Sequence, residues 1–127
     1  MHSVTTFEHL LKSVNVGDLL DEIASADPPS YLKRCFAEAC SAPALSFART
    51  QELAVCAMVL DSIINERDYD VFEPELIADW RQHYGHDCVR IRETAISALR
   101  RARTSVHPQD PDAAAELGEL ERRLTPA

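Results

Sequence analysis

The stretch HYGHDC, residues 83–88, holds the side chains of this chain that could most directly do chemistry. His83, His86 and Cys88 offer borderline-soft nitrogen and sulfur ligands, and Asp87 a hard oxygen. Tyr84-Gly85 reads as a helix stop, however, so the two histidines straddle a break and their rings need not converge. A fourth ligand would have to come from far away in sequence, from His9 or His107. Polar residues in an interhelical turn, with Asp87 as a helix cap, account for the cluster better. No metal or other cofactor is therefore expected.

The pair His86-Asp87 also resembles the dipeptide for which a class of metal-dependent phosphohydrolases is named. That chemistry needs a further histidine upstream on another helix and an aspartate far downstream. His9 and Asp110 or Asp112 are available by position, but nothing around them marks such a role. Cys35, Cys40, Cys56 and Cys88 form no C-x-x-C pair, which speaks against a zinc ribbon or a disulfide framework. Cys35 and Cys56 fall at positions expected to be core, where a free thiol acts as a small hydrophobe. There is no strand–Gly–Ser–helix elbow, and 3 glycines in the whole chain leave little for a phosphate-cradling loop. No catalytic residues are assigned, and the chain reads as a non-enzyme.

Two charged stretches remain. RIRETAISALRRAR places Arg90, Arg92, Arg100, Arg101 and Arg103 on one helix, but over a wide arc rather than on one base-reading face. The expectation is that this helix lies beside the acidic 61–80 segment and pairs with it. NERDYDVFEPELIADW, residues 65–80, sets Glu66, Asp68, Asp70, Glu73, Glu75 and Asp79 around Tyr69, Phe72 and Trp80. A calcium loop is discounted, because the glycine and the regular oxygen pattern are missing. Phe72, Ile77 and Trp80 are expected to turn inward. Asp68, Tyr69, Asp70, Glu73, Glu75 and Asp79 are left as a docking surface for a basic partner, since rings supply buried area and charge steers association.

The elements that must position these groups are helical. Few glycines, 6% aromatic residues and an abundance of Ala, Leu, Arg and Glu favour helix over sheet. A chain of 127 residues with 46% hydrophobic composition can bury a core as a single domain, residues 1–127. The net charge of −8 is concentrated in residues 47–80 and argues against nucleic-acid and anionic-membrane partners. The longest apolar run, LAVCAMVL, is too short to span a membrane, and no secretory signal is read at the start. A cytoplasmic location is expected.

Thr5 to Glu8 has the spacing of a capping box, with Phe7, Leu10, Leu11 and Val14 recurring at helical intervals. Gly17 is read as the end of that helix and Asp18 as the cap of a second, which stops before Pro28-Pro29. A third carries the stripe Leu32, Cys35, Phe36 and Ala39 up to Pro43. The fourth, about 45–65, is apolar on every side over LAVCAMVL, as expected of a helix buried all round. A fifth begins at Pro74 and closes at Tyr84-Gly85. The sixth, about 87–105, has Ile91, Ala95, Ala98, Leu99, Ala102 and Val106 on one face. After the turn 107–112, Asp112 is expected to cap a last helix ending near Leu124. The fold class is all-α, a bundle of six or seven helices around the buried fourth.

A small acidic helical chain without a catalytic motif resembles the immunity proteins that bacteria keep beside secreted toxins. NVGDLLDEI, RTQELAVCAMVLDSII and IRETAISALRRA are also similar in rhythm to a bacterial family filed as domain of unknown function 4259, over about residues 15–103. The resemblance implies an immunity or antitoxin-type inhibitor that neutralises a cognate basic protein, a toxin or effector. Its 66–79 carboxylates would mimic a substrate phosphate or pair with the partner's Lys and Arg. The alternative is a helical regulatory or scaffolding domain that self-associates, for instance as a homodimer. A metal-dependent hydrolase comes third.

Overall fold

The computed structural model describes residues 7–106 and 109–126, and within them every regular element is helical. The helices are α1 (Glu8–Leu11), α2 (Val16–Ser25), α3 (Pro28–Ser41), α4 (Phe47–Ile64), α5 (Pro74–Val89), α6 (Arg92–Val106) and α7 (Pro111–Leu124). The architecture is thus the all-α bundle expected, with α4 at its centre.

Residues Leu53 to Ile63 of α4 are buried without a gap, because α1, α3, α5, α6 and α7 all pack on it. Around it the other helices are one-sided. Leu32, Cys35, Phe36 and Ala39 of α3 are buried, as are Ala95, Ala98, Leu99, Ala102 and Val106 of α6, with Ile91 just ahead of it. One hydrophobic cluster joins these faces. α2 packs on α3, and α6 lies along α7 in the most extensive helix–helix contact of the fold.

The helix ends are set by side chains that satisfy the otherwise unpaired first N–H groups. Asn15 accepts from the Asp18 N–H at 3.0 Å, Asp27 from Ser30 at 3.2 Å, Ser46 from Arg49 at 3.1 Å and Asp110 from Ala113 at 3.1 Å. Two sequence expectations are corrected here. Asn15, not Asp18, caps α2, so Gly17 sits inside that helix. Asp110, not Asp112, caps α7, as Pro111 at its first position requires.

A third correction concerns α5, which runs through Tyr84-Gly85 to Val89 and so contains Asp87 in its last turn rather than as a cap. The chain breaks only at Arg90-Ile91 before α6 begins. Cys88 explains the continuation. It is fully buried, and extending the helix keeps it on the same inward face as Ile77 and Trp80. The capping box proposed at Thr5 lies outside the described residues. The first turn of α1 is served instead by Glu116 of α7, whose carboxylate accepts from the His9 and Leu10 N–H groups at 3.2 and 2.8 Å. No helix among the described residues is long and apolar enough to cross a membrane.

Candidate functional site

The acidic segment begins where α4 ends. Asn65 closes the helix by donating its N–H to the Asp61 carbonyl, and Glu66 then takes a left-handed conformation with φ 56°. That position usually goes to glycine, because a side chain there costs energy. The reversal sends the chain back over the helix end, so that residues 67 and 69 return to Asp61.

Asp61 is 0% exposed. Its carboxylate accepts from Arg67 Nε at 2.6 Å, Tyr69 Oη at 2.6 Å and Asn65 Nδ2 at 2.7 Å. The Tyr69 hydroxyl in turn accepts from Arg123 Nη1 at 3.1 Å, and the Arg123 guanidinium stands over both the Phe7 and Tyr69 rings. Glu119 holds Arg123 from the other side at 2.9 Å and also pairs with Arg122. Burial, then the hydrogen bond to Asp61, pushes the Tyr69 hydroxyl pKa above its ordinary value. Charged groups taken from water require such complete pairing, since each unpaired one would be costly.

This network changes the role expected of Tyr69. Its ring packs at 5.8 Å from Phe72 and 6.1 Å from Phe7, and its hydroxyl is committed to Asp61 and Arg123. It anchors the loop from within and is not an exposed contact. Phe72, Ile77 and Trp80 are buried as expected. Asp68, Asp70, Glu73, Glu75 and Asp79 all face solvent. Asp79 pairs with His83 one helical turn away at 3.2 Å, whereas Asp68, Asp70, Glu73 and Glu75 have no ion-pair partner among the described residues. Val71 stands 45% exposed among them. Sequence reading passed over Val71 and Asp61. For Asp61 the signal was present, as a lone carboxylate near the end of a helix apolar on all sides.

The other candidate groups are dispersed. His83 and His86 are exposed on α5, and Cys88 is buried beneath it with its thiol pushed up to about 12 by desolvation. Among the described residues no three His, Cys, Asp or Glu side chains are placed to hold a metal ion. Cys35 and Cys56 are both buried. Cys56 is held well above the ordinary thiol range, first by its hydrogen bond with Cys35 and then by burial, which makes it a poor nucleophile.

His9 and Asp110 do meet, Nε2 to Oδ2 at 2.8 Å, where α1 docks on α7. That bond raises the His9 pKa above 6.5 and lowers that of Asp110 below 3.8.

The arginine-rich helix is also corrected. Arg100 and Arg103 of α6 pair with Glu121 of α7 at 3.0 and 3.3 Å, and Arg101 donates to the Ala42 carbonyl. Among the described residues, Arg92 is the one arginine of α6 that bonds to the 61–80 segment, through Asn65 Oδ1 at 3.4 Å. The acids of that segment are therefore left unneutralised by α6. Comparison with protein-family models, curated proteins and solved structures gives no match to this chain.

Proposed function

We propose that this chain is a non-enzymatic binding protein of the immunity or antitoxin type, which occludes a basic surface of a cognate toxin or effector with its 68–79 segment. The observation that carries the reading is the state of Asp68, Asp70, Glu73 and Glu75. They are exposed and unpaired among the described residues, around the exposed Val71, on the loop after α4 and the first turn of α5, and the loop's inner side is fastened by Tyr69 and Phe72. A loop already ordered loses less freedom on binding, so more of the interaction appears as affinity. Unpaired carboxylates accelerate encounter with a basic patch, and a central apolar side chain gives the contact a dry point. Tyr69 acts from beneath the surface, and Asp79 contributes at the edge, where it is already shared with His83.

The test is a comparison of wild type with the triple variant Asp68→Lys, Asp70→Lys, Glu73→Lys. The partner is first captured on the wild-type chain and identified by mass spectrometry. The expected result is an affinity at least a hundredfold lower for the variant, with an unchanged circular dichroism spectrum and loss of protection in cells expressing the partner. An affinity within twofold of wild type would remove the site. A partner whose expression is harmless would remove the immunity reading while leaving the binding surface. Light scattering at low and high salt separates both from self-association, for which a salt-sensitive homodimer is the signature.

A further inference from the structure

A broad cleft of about 870 Å3 opens between α2, α3 and α4. It lies beside the first turns of α4, where Arg49 and Glu52 stand, whereas the acidic loop follows the last turn. About 15 residues at 1.5 Å each separate the two places by roughly 20 Å along the helix. Four carboxylates line the cleft, Asp21, Glu22, Glu38 and Glu52, against two guanidinium groups.

The two arginines are held differently. Arg49 is bound to Glu52 at 2.8 Å and approaches Glu38 at 3.7 Å, so it and Glu52 neutralise one another. Arg34 reaches Glu38 only at 4.0 Å, and its side chain is 63% exposed. An ion pair that long and that wet contributes little. What places Arg34 is the half-buried Tyr31 ring, over which its guanidinium stands at 5.2 Å from the centroid. Tyr31 in turn donates its hydroxyl to Glu22 at 3.4 Å. Burial, before any neighbouring charge, pushes the Tyr31 hydroxyl pKa upward, so the ring carries a neutral phenol. An aromatic face flanked by carboxylates attracts cations by quadrupole and Coulomb terms together.

We propose that this cleft is a binding site for an organic cation bearing a guanidinium or alkylammonium group, seated on the Tyr31 ring between Glu22 and Glu38. Arg34 is its built-in occupant, and the ligand displaces it. The chemistry is shared by a free amine and by an Arg or Lys side chain of another protein. The site is independent of the acidic loop, and the loop's charge-reversed variant is expected to bind the same cation unchanged.

The experiment titrates agmatine into the full chain, followed by calorimetry and by the NMR shifts of the Tyr31 ring protons. Saturable binding is expected to weaken about tenfold in Glu22→Gln. It is expected to tighten several-fold in Arg34→Ala, because the internal competitor is gone. Arg90→Ala, which removes an exposed arginine outside the cleft, controls for net charge and is expected to change the affinity less than twofold. All three substitutions are on the surface, and melting temperatures verify that the fold is kept. A blocked tripeptide, acetyl-Ala-Arg-Ala-amide, distinguishes the sources. Equal binding of the tripeptide supports the site as a receptor for partner side chains, and binding of agmatine alone supports it as a small-amine site. Absence of saturable agmatine binding would overturn the proposal, as would Arg34→Ala and Glu22→Gln responses no larger than that of Arg90→Ala.

Discussion

Replacing Asp61 by asparagine keeps the shape of the side chain and removes its charge at the point where the loop after α4 is fastened. The loss can be worked from the contacts. The charge-assisted bond from the Tyr69 hydroxyl is worth about 1.5–3 kcal/mol, and an asparagine amide offers fewer acceptor sites to the three donors converging there. Arg67 is partly exposed and returns to water, which limits its share to at most about 1 kcal/mol. The sum is about 3 kcal/mol, on the order of a 10 °C fall in melting temperature for a domain of this size. Tyr69→Phe, which loses the bonds to Asp61 and Arg123, is expected to cost about 2 kcal/mol. Because the two residues share one bond, the double variant should fall short of the sum by about 1–2 kcal/mol.

Urea denaturation at constant m-value measures all three. Alkaline pH adds a second readout. The Tyr69 pKa is raised in the folded chain, so its contribution is full below the ordinary value of 10.0 and declines as pH rises above it. Wild type should therefore lose stability above pH 10 more steeply than Tyr69→Phe, with Tyr31 contributing equally to both. An Asp61→Asn variant within about 0.5 kcal/mol of wild type would refute the account of the buried network, and so would strict additivity.

Three further outcomes are expected. Gly85→Ala should stabilise the chain by up to about 1 kcal/mol, read as a higher urea midpoint, since the glycine lies inside α5 and an added Cβ meets nothing within 4 Å. The His9 ring, followed by NMR, should titrate above 6.5 and move down toward it in Asp110→Asn, which keeps the helix cap and removes the charge. The raised His9 value means that its share of stability is lost as pH rises through that value, and the lowered Asp110 value means that its share is lost on strong acidification. The wild type's advantage over Asp110→Asn should thus be largest between pH 3.8 and 6.5 and decline as pH rises through the raised His9 value. Glu66→Gly should relieve the left-handed position after α4 and raise stability by roughly 0.5–1 kcal/mol in the same urea assay.

The helices and their buried faces were legible because both are local. An apolar stripe at helical spacing in α3 or α6, or an apolar run on all sides of α4, has few ways to be satisfied other than burial. The ends were less legible because they are decided by competition with the core. Glycine inside a helix costs about 1 kcal/mol, enough to suggest stops at Gly17 and Gly85. Burying Leu19, Leu20 and Ile23 in one case and Cys88 in the other outweighs it. The partner of the arginine-rich helix was not legible at all. Nothing local distinguishes Glu121 from the acids of 61–80 as its mate, and only the packing of α6 along α7 decides it.

The same limit explains why the acidic segment was half understood from its sequence. A carboxylate that meets water and one that waits for a basic partner have the same spelling. They differ in whether the fold supplies a countercharge. Here the fold spends Arg67 and Tyr69 on Asp61, Arg123 on Tyr69 and Glu119, and two α6 arginines on Glu121. That allocation leaves Asp68, Asp70, Glu73 and Glu75 without an ion pair among the described residues. The rings of the segment serve to hold it down, and the charges above them, with Val71, are what remains for a partner to read.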